Sequence, residues 1–270
     1  MIETNLAQNL KLYDREFESR FLLGSSRYPS LESLRSSIEI SKPAMVTASL
    51  RRQGGLQDDL NNQFWNLIKE LKVPVLPNTA GCHSPKEVLT TALMAREVFE
   101  TEWIKLELIG DDYTLQPNTL ELCQTAEQLL REGFKVLPYC TEDLIIAQRL
   151  VDVGCQVIMP WAAPIGTGKG PINLYALEIL RDRIKVPIII DAGIGKPSHA
   201  CQVMEMGFDA VLLNTAVALA NHPVAMAESF SQAIEAGHRA YLAGTIAPSE
   251  SAQASTPVIC LLYTSDAADE

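Results

Sequence analysis

The sequence predicts a single (β/α)8 TIM barrel of the α/β class, on three observations. Eight short apolar runs alternate with longer amphipathic stretches along 270 residues. Glycine-rich or Asn-Thr loops follow the last three runs, and no Gly-x-Gly-x-x-Gly follows the first. Strict alternation over roughly 250 residues is what eight parallel strands with their crossover helices require. A doubly wound open sheet is the competing arrangement; evenly spaced units without the dinucleotide fingerprint disfavour it.

The strand candidates, in chain order, are "RFLLG" (20–24), "AMVTASL" (44–50), "VPVLPN" (73–78), "WIKLELIG" (103–110), "KVLPYC" (135–140), "QVIMP" (156–160), "VPIIIDAG" (186–193) and "AVLLNTA" (210–216). Between them lie segments with helical periodicity, among them 58–71, 84–99, 117–133 and 223–237. Ser84-Pro85 and Asn118 read as helix starts, and Gly133, Gly154, Gly207 and Gly237 as residues that follow helix ends. No linker divides the chain. Residues 1–258 are expected to form the barrel, and 259–270, "ICLLYTSDAADE", a non-native or disordered tail.

Bulk composition narrows the function. At 47% hydrophobic residues and mean hydropathy +0.06 the chain reads as globular. A net charge of −11 argues against nucleic acid and anionic membrane as partners, though local backbone N–H groups can still hold a small anion. No apolar run approaches a membrane span, and the first twenty residues lack a signal layout. Six scattered cysteines without Cys-x-x-Cys suggest a reduced, cytoplasmic protein with neither a disulfide framework nor a zinc site.

The stretch "EWIKLELIGDD" (102–112) carries the chemistry. Strand side chains alternate, so Ile104, Leu106 and Leu108 share one face, and Trp103, Lys105, Glu107 and Ile109 the other. In a closed barrel the aliphatic face suits the helices, which turns Lys105 and Glu107 inward, their Cα atoms roughly 6.5–7 Å apart. Burial favours a neutral amine, which can attack a carbonyl to give a Schiff base. Glu107, and Asp191 at the end of the seventh run, stand at the rim where such barrels keep catalytic groups and are candidates for moving protons. A buried Lys–Glu ion pair that only holds the barrel together is the competing reading.

Phosphate binding is the second signal. The loops "APIGTGKGP" (163–171), "AGIGKPS" (192–198) and "NTAVA" (214–218) follow the sixth, seventh and eighth runs. Glycine lets backbone N–H groups turn toward an anion, and phosphate often sits in the last loops of such barrels. His83, His199, His222 and His238 have no metal-ligand spacing. Cys82 and Cys140 read as small buried residues, and Arg51 and Arg52 as either an anion clamp or a solvated pair.

Taken together, "IKLELIGD", "VLPYCTEDLIIAQRL", "VIMPWAAPIGTGKGPIN", "VPIIIDAGIGKPSHA", "DAVLLNTAVA" and "HRAYLAG" resemble thiazole synthase of bacterial thiamine biosynthesis, from about Leu10 to Pro257. The resemblance implies a sulfur-transferring enzyme in which Lys105 forms an imine with the ketone of 1-deoxy-D-xylulose 5-phosphate. It makes Glu107 and Asp191 the acid–base groups, and Gly166, Ala192, Gly193, Asn214 and Thr215 the sugar-phosphate contacts. Sulfur would come from a thiocarboxylated ubiquitin-like sulfur-carrier protein, and dehydroglycine from a partner enzyme that uses glycine or tyrosine. No metal or organic cofactor is implied, and a homotetramer is. The chain departs from the pattern in the loop after the first run, "GSSRYPS", where G-T-G-K-[YF] is expected. A class I aldolase, a pyridoxal-phosphate-forming synthase or a non-catalytic phosphosugar-binding barrel would share part of this layout.

Overall fold

The computed structural model describes residues 9–50, 58–253 and 255, with side chains in all but 58–62. Arg51, Arg52 and the tail 259–270 lie outside the described residues. Among those described, ten strands and nine helices follow one another in the order β1(Leu10–Leu12), β2(Arg15–Phe17), β3(Phe21–Gly24), α1(Leu31–Ser41), β4(Met45–Ser49), α2(Asp58–Leu71), β5(Val75–Asn78), α3(Pro85–Phe99), β6(Trp103–Leu106), α4(Thr119–Arg131), β7(Lys135–Cys140), α5(Leu144–Asp152), β8(Met159–Pro160), α6(Leu174–Arg183), β9(Ile189–Asp191), α7(Pro197–Glu205), β10(Ala210–Leu213), α8(Thr215–Ala218) and α9(Pro223–Ala243).

Strands β3 to β10 form one parallel sheet in which β10 pairs with both β3 and β9, and the rest pair in chain order. Bridges from Ile158 to Ile188 and from Trp161 to Asp191 join β8 to β9 and close the barrel. Strand alternation sorts the side chains as expected. Ile104, Leu106 and Leu108 pack in the large cluster between sheet and helices. Leu22, Met45, Leu76, Trp103, Leu137, Met159, Ile189 and Leu212 fill the interior.

The β1–β2 hairpin escapes the periodicity of the sequence, because three-residue strands are too short to show one. Its Leu10, Leu12 and Phe17 join the interior cluster and plug the N-terminal end of the barrel. Tyr13 turns the hairpin at φ 52°, rests edge-on against Trp103 at 5.6 Å, and donates a hydrogen bond to the Val136 carbonyl at 2.8 Å. An apolar floor therefore lies beneath the layer that holds Lys105.

Of the helix starts and ends expected from sequence, two behave differently from their signals. Ser84 accepts from Glu87 N–H ahead of Pro85, while Gly133, Gly154 and Gly207 leave their helices at positive φ. Asn118 stands at the start of α4 but bonds the Glu121 carboxylate rather than a backbone N–H. Gly237 ends nothing: it lies inside α9. A Cβ there would stand 2.4 Å from the Cys201 carbonyl oxygen, so its small size serves close packing of α9 on α7.

Candidate active site

Three charged side chains meet inside the barrel, each at the C-terminal end of its strand. Lys105 and Glu107 come from β6 and the residue just past it, and Asp191 ends β9. They are 5%, 6% and 2% exposed. Lys105 Nζ lies 3.2 Å from Glu107 Oε1 and 2.5 Å from Asp191 Oδ2. The Asp191 contact is a close ion pair, and Oδ2 makes no other hydrogen bond among the described residues. The Tyr139 ring flanks the ammonium, its centroid 5.8 Å away.

This geometry corrects the expectation of a neutral lysine. Burial does push the Lys105 pKa down, but the charges of Asp191 and Glu107 outweigh it and the net direction is up. The two carboxylates hold Lys105 as an ammonium. Asp191 moves the other way for a carboxyl: burial raises its pKa, only partly offset by Lys105. A proton donor and a reluctant carboxylate thus stand in contact, which is the arrangement a proton transfer needs.

The three groups open on a cavity of about 310 Å3 that also collects Gly166, Ala192, Gly193, Asn214 and Thr215 from the loops after β8, β9 and β10. These loops are knitted to one another. Gly170 N–H donates to the Gly193 carbonyl at 2.8 Å, and Ala162 N–H to the Ala192 carbonyl at 3.3 Å. Ala192 itself sits at φ 66°, a left-handed conformation that a residue with a Cβ adopts only when its surroundings enforce it. Gly193 follows at φ 73°, where a Cβ would stand 2.4 Å from the Ala163 nitrogen. Asn214 fits because Gly24 beneath it lacks a Cβ; its amide donates to the Ser26 hydroxyl, and its buried Oδ1 accepts nothing among the described residues.

Polar side chains line part of the cavity: Ser25 and Ser26 from the loop after β3, Thr47 and Ser49 from β4, and Asn78 from β5. Ile109, Tyr139 and Trp161 form a small buried apolar cluster, with the Tyr139 ring beside Lys105. The sequence reading named none of the polar set, although alternation from Met45 through Thr47 to Ser49 would have turned two of them inward. Cys82 and Cys140 belong to the layer between sheet and helices. His199 packs over Gly170 and accepts from Gly195 N–H, away from the charged trio.

Comparison with known proteins places the chain in a family. The chain matches the family described as Thiazole biosynthesis protein ThiG over residues 11–257. It is 64% identical over 252 residues to the thiazole synthase of Variovorax paradoxus (strain S110), covering 93% of this chain and 92% of that one. It is 62% identical over 259 residues to the thiazole synthase of Paracidovorax citrulli (strain AAC00-1), covering 96% of each. Among solved structures, the Amycolatopsis orientalis BexX/CysO complex superimposes with TM-score 0.82 and 27% identity, covering 90% of this chain and 98% of that one. Thiamine phosphate pyrophosphorylase from Pyrococcus furiosus shares the fold alone, at TM-score 0.54 and 15% identity, covering 86% of this chain and 99% of that one. By the match along almost its whole length, the chain belongs to the ThiG family of thiazole biosynthesis proteins.

Proposed function

We propose that this enzyme of thiazole synthesis condenses 1-deoxy-D-xylulose 5-phosphate with Lys105 as a Schiff base. It then builds the thiazole phosphate with dehydroglycine and sulfur from a thiocarboxylated carrier protein. The observation that carries this reading is the contact of Lys105 Nζ with two buried carboxylates at the cavity floor. The ammonium first passes a proton to Asp191, whose pKa is held up by burial. The free amine attacks the ketone, the carbinolamine takes that proton on its oxygen, and water leaves. The resulting iminium keeps a positive charge where the ammonium was, so the same carboxylates stabilise it without rearranging. Glu107 and Asp191 then move protons at the adjacent carbons. Gly166, Ala192, Gly193, Asn214 and Thr215 receive the phosphate, with backbone N–H groups as the donors.

The BexX/CysO neighbour supports a sulfur-carrier partner. We extend the reading to a homotetramer working in the cytoplasm, where Cys82, Cys123, Cys140, Cys155 and Cys201 would stay free. Among the described residues no helix is long and apolar enough to cross a membrane. The test has two arms. Borohydride added with the sugar phosphate should tag Lys105 irreversibly, and adding thiocarboxylated carrier with a dehydroglycine source should give thiazole phosphate by mass spectrometry. An adduct on Lys169 or Lys196, or none, would overturn the Schiff-base step. An adduct without thiazole phosphate would point to an aldolase-like barrel.

A further inference from the structure

We infer that Thr79 is a positioning residue that sets Glu107 for proton transfer; this rests on the acid–base reading of Glu107 above. β5 pairs with β6 at Asn78 and Lys105, and Thr79 N–H donates to the Lys105 carbonyl at 3.2 Å. If the parallel ladder ran on, Glu107 N–H would donate to the Thr79 carbonyl, and the Glu107 carbonyl would accept from Gly81 N–H. Neither bond forms. The Thr79 carbonyl is turned away to accept from Cys82 N–H at 3.1 Å.

The Thr79 hydroxyl takes both vacated places. It accepts from Glu107 N–H at 2.8 Å and donates to the Glu107 carbonyl at 2.7 Å. Thr79 is completely buried, and its branched Cβ restricts the hydroxyl to few rotamers. One residue therefore ties down the backbone on both sides of the Lys105–Glu107 pair. With its backbone N–H and C=O fixed, the Glu107 carboxylate can swing only about its own side-chain torsions. That confinement keeps Oε1 within 3.2 Å of Lys105 Nζ in a site where a small misplacement costs rate.

The experiment compares Thr79→Val, which keeps shape and loses the hydroxyl, with Thr79→Ser, which keeps the hydroxyl, in the full-length chain beside Glu107→Gln. Borohydride trapping of the sugar phosphate reads imine formation, and thiazole phosphate reads turnover. Thr79→Val should trap at near wild-type yield and lose tenfold or more of turnover, of the size a misaligned acid–base group costs. Thr79→Ser should recover most of it. Thr79→Val combined with Glu107→Gln should be little worse than Glu107→Gln alone. Full turnover in Thr79→Val beside an inactive Glu107→Gln would overturn the inference and leave the Glu107 reading standing. Trapping and turnover lost together, without recovery in Thr79→Ser, would make Thr79 merely structural. A fully active Glu107→Gln would remove the Glu107 reading itself, and this inference with it. Should Thr79→Val not fold, Thr79→Ala, which admits water to the two backbone groups, carries the same comparison.

Discussion

Lys105 Nζ and Asp191 Oδ2 approach to 2.5 Å from strands β6 and β9, which are separated by β7 and β8 around the barrel. A contact made across the interior, rather than along one strand, means that the closed barrel itself sets the protonation state of the lysine. The carboxylates keep the lysine charged, while the proposed imine chemistry requires it neutral.

Imine formation should therefore speed up as pH rises through the neutral range, because the Lys105 pKa is held up by Asp191 and Glu107. Asp191→Asn removes the stronger of those two charge effects and leaves burial, which acts downward, opposed by Glu107 alone. The initial rate of borohydride-trapped adduct, plotted against pH, should shift to lower pH in Asp191→Asn. An unshifted profile would mean that Asp191 does not govern the lysine.

Turnover should tell a different story from trapping. Glu107→Gln should still give the adduct, and so should Asp191→Asn with solvent as the proton relay in place of Asp191, but both should lose about 10²–10⁴-fold of thiazole phosphate formation, the usual contribution of a general acid or base. Turnover within a few-fold of wild type in both variants would strip the carboxylates of this role.

Gly166 offers a clean probe of the proposed phosphate site. It sits at φ 76°, and no atom lies within 4 Å of where a Cβ would stand. Gly166→Ala thus carries only a backbone cost of about 1–2 kcal/mol and meets nothing but a cavity occupant. Trapping should need more of the phosphorylated sugar, and the unphosphorylated sugar should be less affected. Equal loss for both sugars would take Gly166 out of the phosphate site.

How far the sequence reaches can be judged from particular elements. The inward turn of Lys105 was legible because Ile104, Leu106 and Leu108 needed the helix layer, and alternation leaves no third choice. The extent of the strand was not. Residues 103–110 read as one apolar run, yet β6 ends at Leu106 because the Thr79 hydroxyl replaces the ladder there, a tertiary event. Residues 210–216 were likewise read as strand, but the chain turns at Asn214 into α8. Most telling is Asp191. The sequence put it at the rim, but only closure of β8 on β9 brings it against Lys105 and turns an expected Lys–Glu pair into a lysine between two carboxylates.

That trio gives a stability prediction whose size depends on pH. Lys105→Ala strands two buried carboxylates, and removing one partner of a buried pair costs roughly 3–5 kcal/mol. Part of that cost can be relieved by a proton. Burial already raises the Asp191 pKa against the lowering effect of Lys105, so losing the lysine raises it further. A carboxyl whose folded pKa lies above its unfolded value of 3.8 favours folding at acid pH. It loses that stability as pH rises through the folded pKa. The melting temperature of Lys105→Ala should therefore lie close to wild type near about pH 4.5 and fall behind by roughly ten degrees near about pH 8. Adding Asp191→Asn to Lys105→Ala, which removes the titrating group, should flatten the difference. A deficit that stayed constant with pH in Lys105→Ala would mean that the stranded carboxylates find solvent, and that the lysine is not what keeps them charged inside the barrel.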